Sequence, residues 1–402
     1  MNDLRIAAPV LLSLAIFCCP VEASPAGEVS AQRDEPAGTQ PVEEPAEERL
    51  PLFPKLDIYF PEGKLDLRLS RLIKNALFEG QVKYNFVKGD ITAFLRYRYY
   101  GHRTIYQLGV FDAREFEDVE DFDNDFERVR GILLFTSWPH DYHHRTFLLA
   151  EIDHLTSSKE ELQFNNDRTH TFIRVGFQRG TADDTRSNAI VGETRARTED
   201  LFTAHREIGP GQAGFTGALT YGFDFTGGDF SYLKIEAEGL KRFNLSPRSF
   251  VVARVHAGSF LHKETVREGP EVEEWDRYSI PLAELFRLDG RENLKGIDEK
   301  LRGTEELHST VELFVPWFLN RSYRFLWVDW ENFYWIFYGG VGTVGYDREV
   351  YTDWGGYYPD VGLGFEASFK LRGYTFFLSG LAATALQDDG GVKTRLSIKS
   401  YH

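Results

Sequence analysis

The chain of 402 residues carries a formal net charge of −16. Nucleic acid requires a basic protein surface, so this acidic balance argues against nucleic-acid binding and we expect no such partner. Aromatic residues make up 15% of the chain and glycines number 36. Beyond the N-terminus no segment approaches the about 20 apolar residues of a membrane helix. This composition is typical of an outer-membrane β-barrel.

Residues 1–23 predict a cleaved Sec signal peptide. Arg5 precedes an apolar run over 6–17, and Ala23 ends a short cleavage-site pattern. The cysteines, Cys18 and Cys19, both lie in this segment, so we expect no disulfide in the mature chain.

Residues 24–54 predict a disordered linker. Proline, alanine and glutamate dominate this stretch, and such a composition buries too little apolar surface to fold. The segment is interpreted either as a tether or as a docking tail for a partner.

From residue 55 to residue 402 the dominant pattern has period two. In the segment 77–86, Phe78, Val82 and Tyr84 share one face and Lys83 lies on the other. Charged residues from strand after strand fall on one side, and the other side is too aromatic to be left in water. A closed antiparallel barrel with lipid outside and a polar lumen satisfies both faces. The sequence therefore predicts an all-β, transmembrane antiparallel β-barrel.

The pattern predicts sixteen strands, with fourteen as the alternative because the first strand is the least regular. An even number is usual for bacterial barrels. The predicted strands are 56–60, 64–72, 77–86, 90–100, 103–112, 126–138, 145–155, 169–179, 213–225, 229–241, 248–260, 303–317, 332–345, 360–371, 373–384 and 392–401. If both termini are periplasmic, the 286–302 loop between strands eleven and twelve is extracellular.

The stretch around this loop is the most distinctive of the chain. It reads Phe286-Arg287-Leu288-Asp289-Gly290 and then Leu294-Lys295-Gly296-Ile297, and the strand that follows contains Glu312-Leu313-Phe314-Val315-Pro316. This pattern resembles the sixth extracellular loop and the next strand of the BamA and TamA outer-membrane assembly barrels, the bacterial surface antigen family. The resemblance implies a sixteen-stranded barrel whose lumen is partly filled by the inward-folded loop.

The resemblance also implies a lumenal contact at the loop tip. Lys295 stands where the family has an arginine that pairs with carboxylates of the inner wall. The family's acid on strand thirteen has no counterpart in 338–342, but Glu312 and Glu366 point inward by parity. We hypothesise a contact of Lys295 with Glu312 or Glu366; the alternative is a solvated Lys295 in an extracellular loop.

In function, the resemblance implies assistance in the insertion, assembly or translocation of proteins, or of lipids, at the bacterial outer membrane. The implied partners are outer-membrane lipids and client outer-membrane proteins. The family's periplasmic POTRA modules are not matched, since only the predicted linker separates signal and barrel. The connection 180–212 is interpreted as a docking surface for a periplasmic partner or as a plain loop. The alternative function is a passive pore or a structural surface protein.

Three further groups of residues are candidates for chemistry. Asp121, Asp123 and Asp125 offer carboxylates to calcium or form a solvated acidic loop. His140, His143 and His144 are candidates for zinc or belong to an ordinary turn. His256 and His308 point inward by parity, but no nucleophile accompanies them. The sequence therefore predicts no enzymatic activity and no cofactor.

Overall fold

The computed structural model describes most of the chain from residue 53 onward. The described residues are 53–60, 64–85, 90–101, 104–116, 126–140, 144–157, 167–179, 212–224, 228–266, 277–288, 294–297, 301–319, 323–325, 328–371, 374–387 and 391–401. The predicted signal peptide and nearly all of the predicted linker lie outside this part. The first described strand begins at Phe53, within the last two residues of the predicted linker.

Strands make up nearly all of the regular structure. They are β1 (Phe53–Phe60), β2 (Lys64–Ile73), β3 (Ala76–Asn85), β4 (Asp90–Tyr100), β5 (Ile105–Phe116), β6 (Phe126–Pro139), β7 (His144–Ser157), β8 (Arg168–Arg179), β9 (Ala213–Gly222), β10 (Tyr232–Asn244), β11 (Phe250–Lys263), β12 (Phe286–Leu288), β13 (Leu301–Gly303), β14 (Glu305–Phe318), β15 (Tyr323–Phe325), β16 (Val328–Gly345), β17 (Tyr358–Leu371), β18 (Tyr374–Ala385) and β19 (Lys393–Tyr401). Short 3-10 turns lie at Leu282–Glu284, Arg348–Tyr351 and Trp354–Gly356. Within the described ranges, no helix has the length and apolar character needed to cross a membrane.

Seventeen of these strands form one antiparallel sheet, and β12 and β13 form a separate hairpin. The long strands pair with their neighbours in chain order, from β2 through β11 and then β14, β16, β17, β18 and β19. Strand β1 pairs with both β2 and β19. The prediction of an all-β antiparallel protein is confirmed, and each of the sixteen predicted strands overlaps a strand of this sheet.

The sheet exposes its apolar face and buries its polar face, which is the reverse of the arrangement in a soluble protein. On β4, Leu95 is 62% exposed while its neighbour Arg96 is 6% exposed. Tyr97 and Arg98 repeat the contrast. Successive strand residues point to opposite faces, so one face is apolar and exposed, and the other, which we call the inner face, is polar and buried.

Polar side chains on the inner face are paired across neighbouring strands. Both carboxylate oxygens of Asp66 on β2 accept from the amide nitrogen of Gln81 on β3, at 2.9 and 2.7 Å. The Arg98 guanidinium on β4 donates from Nε to Gln107 Oε1 on β5 at 2.9 Å. Because buried polar groups cost free energy unless they are hydrogen-bonded, this cross-strand pairing permits a charged interior.

An apolar core also lies on the inner face, on the strands between β4 and β11. Its largest fully buried members include Phe147, Phe230 and Tyr232. Residues of the connection between β11 and β14, such as Ile280 and Phe286, pack into the same cluster. The connection therefore contributes to the core rather than lying in solvent.

Several strand bounds differ from the prediction, and two of them concern β9 and β16. The strand predicted at 213–225 is shorter, because β9 ends at Gly222, and Phe223 is buried. The backbone N–H of Phe223 still donates to the Thr171 carbonyl of β8 at 3.1 Å. The strand predicted at 332–345 begins earlier, at Val328.

The register between β1 and β19 can be tested with cysteines. Ile58 lies directly opposite Ile398, and opposed strand residues have Cβ atoms about 4.5–5.5 Å apart. In a chain whose Cys18 and Cys19 are replaced by alanine, Ile58→Cys with Ile398→Cys is expected to form a disulfide, measured by gel mobility with and without reductant. The matched control, Ile58→Cys with Thr394→Cys, is four residues out of register and should stay reduced. Equal cross-linking of both pairs would contradict this register.

Candidate functional site

The connection between β11 and β14 folds back over the inner face of the sheet. We call its described residues 277–288, 294–297 and 301–303 the inward segment. It starts at a bridge between Thr265 and Tyr278 and contains the β12–β13 hairpin. Within it, Ile280, Leu288 and Leu294 are completely buried. A connection with such burial is held by specific contacts, and two anchors are described below.

The first anchor is a buried ion cluster around Glu284. The Arg174 guanidinium on β8 donates from Nη2 to Glu284 Oε2 at 3.1 Å. The Lys234 ammonium on β10 donates to the Glu284 carbonyl oxygen at 2.9 Å and lies 3.6 Å from Oε2. Glu236 adds a second carboxylate, 3.3 Å from the Lys234 Nζ. The two cations of the sheet are thus neutralised by two acids. One acid, Glu236, belongs to β10, and the other, Glu284, belongs to the inward segment.

Apolar contacts surround this ion cluster. Leu282, Leu285 and Phe286 pack into the core of the inner face. The Lys234 Nζ lies 4.4 Å from the centre of the Phe286 ring, within cation–π range. Gly258 on β11 lies directly beneath this ring, where any Cβ atom would overlap it. The exclusion of water strengthens the charge pairing of the first anchor.

The second anchor holds the tip of the inward segment. The backbone N–H of Gly296 donates to Asp360 Oδ2 on β17 at 2.8 Å, and the N–H of Lys295 donates to the Tyr338 hydroxyl on β16 at 3.3 Å. The Lys295 ammonium also interacts electrostatically with Asp360. Leu294 and Ile297 pack with Ala385 of β18. The tip therefore contacts three consecutive strands of the wall.

Glycines of β16 make room for this tip. A Cβ atom on Gly340 would lie 2.7 Å from Leu294 Cδ2, and one on Gly342 would lie 2.8 Å from Leu288 Cδ1. Real Cβ atoms do not approach so closely, so a larger residue would displace the tip. Asp360 is the direct cross-strand partner of Gly340. The acid that 338–342 lacks is thus supplied one strand further along.

A second connection, between β16 and β17, reaches the edge of the inward segment. The Tyr351 hydroxyl donates to the Gly258 carbonyl at 2.7 Å and lies 2.9 Å from Glu305 Oε2. Burial and the neighbouring Glu305 carboxylate raise the pKa of Tyr351 well above its usual range. The phenol therefore stays protonated and acts as a hydrogen-bond donor.

The predicted loop motif is only partly within the described residues. Leu294, Lys295 and Gly296 are buried at the tip, whereas Asp289 and Gly290 lie outside the described part. Glu312 and Glu366 are buried on the inner face, the latter accepting from Ser379 Oγ at 3.4 Å. Their pairing with Lys295 stays a prediction.

The other predicted groups fall largely outside the described residues. Asp121, Asp123, Asp125 and most of the 180–212 connection are not covered, nor is His143. His140 directly follows β6 and is exposed, and His144, the first residue of β7, is half-buried. His256 and His308 are both buried on the inner face.

Sequence reasoning missed the residues that form the anchors: Arg174, Lys234, Glu284 and Asp360. A signal for Glu284 was present, because the segment 280–286 is apolar except for this one acid, which is unusual for an exposed connection. Asp360 shares the parity of Glu366, so the same alternation that placed Glu366 inward also placed Asp360 inward. Nothing local indicated that Arg174 and Lys234 meet Glu284.

Comparison with known proteins supports the fold. No protein-family model and no curated protein matches the sequence. The solved structure of BamA from Haemophilus ducreyi lacking POTRA domains 1–3 is similar with a TM-score of 0.59 and 11% identity, covering 87% of this chain and 69% of that chain. CdiB from Escherichia coli gives 0.58 at 11% identity, covering 87% and 62%. CdiB from Acinetobacter baumannii gives 0.53 at 12%, covering 87% and 59%.

The present chain therefore spans less than two thirds of either CdiB chain. Its fold is similar to that of the BamA and CdiB barrels, as the resemblance in its loop implied.

Glu284→Gln tests the first anchor. The substitution keeps the shape of the side chain but leaves Arg174 and Lys234 with one acid fewer in a buried site. Removing one partner of a buried ion pair costs about 3–5 kcal/mol, so the free energy of unfolding in detergent micelles should fall by that amount. The control Glu264→Gln alters an exposed residue of the same connection and should change it by less than about 0.5 kcal/mol. Equal values for both variants would contradict the anchor.

Gly296→Ala tests the second anchor. The added Cβ atom would lie 2.7 Å from the backbone nitrogen of Ala385 and 2.7 Å from the Thr384 carbonyl oxygen. Overpacking costs about 1–3 kcal/mol, so the tip should become sensitive to protease and the unfolding temperature should fall. Gly339→Ala is the matched control, since its Cβ would meet nothing within 4 Å. A protease-resistant tip in Gly296→Ala would count against this packing.

Proposed function

We propose that this protein is a bacterial outer-membrane barrel that assists the insertion, assembly or translocation of proteins, or of lipids. The observation that carries the proposal is the inward segment, which is anchored to the inner face with Lys295 buried. A passive pore would require an open interior, whereas a plugged interior agrees with the resemblance to the BamA and TamA barrels. The fold likeness to BamA and CdiB supports the same class.

We further propose that sixteen strands close into a transmembrane barrel exported by a cleaved Sec signal. The pairing of β1 with β19 supports closure, with β12 and β13 assigned to the inward segment and β15 to a short addition beside β16. An antiparallel barrel satisfies every backbone group without a free edge. The exposed apolar face, with residues such as Leu95 and Ile132, would contact outer-membrane lipids.

The proposed mechanism is opening between β1 and β19 with local thinning of the bilayer. The described pairing there comprises four residue pairs, Asp57–Phe60 with Leu396–Lys399, against nine between β18 and β19. Fewer backbone hydrogen bonds make this junction easier to separate than its neighbour. An opened junction would offer unpaired strand edges to a client outer-membrane protein. A periplasmic partner would bind through 180–212. No chemical reaction is proposed.

Depletion of the protein, followed by quantitative outer-membrane proteomics and lipid analysis, tests this function. Selective loss of a few barrel or surface proteins, or a lipid defect, would support an assembly or transport role. The depleted cells should be rescued by wild type and by Ile58→Cys with Ile398→Cys under reducing conditions. They should not be rescued by that pair when oxidised, because the junction is then locked.

The control pair Ile58→Cys with Thr394→Cys should rescue under both conditions.

An unchanged envelope after depletion would overturn the proposal in favour of a pore or structural protein. Conductance in a planar bilayer then distinguishes the two, since a pore must conduct in the wild-type form. Under our proposal, conductance should rise only in variants that release the plug, such as Gly296→Ala.

We also propose that Lys295 pairs with Glu312 or Glu366 inside the lumen. Lys295→Glu would place a third acid near Asp360 and should lower the temperature at which the barrel unfolds in heat-modifiability gels. Lys295→Met, which removes the charge but keeps the length, should have a smaller effect. Combining Lys295→Glu with Glu312→Lys or with Glu366→Lys should restore stability for the true partner. Unchanged heat stability of Lys295→Glu would refute the contact.

A further inference from the structure

Two histidines and a glutamate converge on the inner face at the base of the inward segment. His256 on β11 is the direct cross-strand partner of His308 on β14. Glu306 lies two residues before His308 and therefore on the same face of the sheet. All three side chains are buried, and neither anchor of the inward segment uses them.

The three side chains present their polar atoms to one another. The His256 Nδ1 lies 3.3 Å from Glu306 Oε2, and the His308 Nδ1 lies 3.0 Å from Glu306 Oε1. The two imidazole rings face each other at 5.0 Å between centres with a 30° tilt. One ligand atom from each residue lies within 4.8 Å of the others. This convergence arises from sheet register alone, since opposed residues and i, i+2 residues share a face.

The nitrogen–oxygen separations are close to those in the ligand shell of a tetrahedral metal. Zinc binds imidazole nitrogen and carboxylate oxygen at about 2.0–2.2 Å, which places neighbouring ligand atoms about 3.3 Å apart. The two nitrogen–oxygen separations are 3.3 and 3.0 Å. Without a metal, the Glu306 carboxylate is the neighbour of both imidazoles through these two contacts.

The surroundings favour a cation. The carboxylates of Glu236 and Glu238 act electrostatically on His256, and Glu238 also acts on His308. Against them, the Arg254 Nε lies 3.9 Å from Glu238 Oε2. The ring of Phe286, from the inward segment, meets His256 edge to face at 6.3 Å between centres and shields the site from solvent.

We propose that His256, Glu306 and His308 bind a divalent transition-metal ion of the zinc class. Two imidazoles and one carboxylate suit zinc, cobalt, nickel or copper better than calcium or magnesium, which prefer oxygen ligands. The ion would link β11 to β14 at the point where the connection leaves and rejoins the sheet. It would thus hold together the two strands against which Phe286 packs. This site departs from the sequence prediction of no cofactor and does not depend on the assembly role.

The test uses the full chain, purified in detergent, stripped with a chelator and then titrated with Zn²⁺ or Co²⁺. Wild type is expected to retain one equivalent of metal after gel filtration and to give the visible absorption of tetrahedral Co²⁺. Metal should also raise the unfolding temperature. His256→Gln, Glu306→Gln and His308→Gln should each lose the retained metal and the Co²⁺ band. The matched control His262→Gln changes an exposed histidine of the same strand and should behave as wild type.

Two results would overturn the proposal: wild type that retains no metal and shows no Co²⁺ band, or cluster variants that bind as much metal as wild type. The second would assign the binding to surface histidines. If the cluster variants do not fold, X-ray absorption at the zinc edge of metal-loaded wild type decides. Two imidazole ligands with nitrogen and oxygen donors would support the site, and any other shell would refute it.

Discussion

The structure depends on antiparallel backbone pairing between neighbouring strands. Among the described strands, antiparallel pairing continues in chain order and places β1 between β2 and β19. In the proposed membrane barrel, this pairing would give each N–H and C=O a partner within the protein. Once the backbone is satisfied, the two faces can differ completely, with Leu95 outside and Arg96 inside. Charges that point inward must then be neutralised inside, which explains why inner side chains occur as cross-strand pairs and why the inward segment brings an acid to the cations of the wall.

The two anchors of the inward segment rest on different physics. Glu284 is held by charge in a dry environment, so its contribution falls sharply when one partner is removed. The tip is held by backbone N–H donors and fits only because Gly340 and Gly342 have no side chains. Its packing is therefore sensitive to added side-chain volume rather than to charge. With both ends fixed, the junction between β1 and β19, which has four described residue pairs, is the more easily separated part of the proposed barrel. A metal at His256 and His308 would stiffen the sheet at β11 and β14, away from this junction.

Much of the fold could be predicted because long strands repeat a two-residue pattern that is insensitive to small errors. Every predicted strand overlaps an observed one, and strand ends such as that after Gly222 are where alternation failed as a guide. Alternation also indicated the inward direction of Glu312, Glu366, His256 and His308, all of which are buried. The burial of the loop tip was implied by its resemblance to a known loop, and no local pattern contained it.

The sequence by itself determined the class of fold, the approximate strand positions and which residues face inward, since all three follow from local alternation and composition. Tertiary structure alone decided which inward residues meet. Arg174 and Glu284 are 110 residues apart, and Gly296 and Asp360 are 64 apart. Such contacts depend on the register of every intervening strand and on how far the connection folds back. Both are set by the sum of packing and pairing over the whole sheet, so no single segment of the chain encodes them.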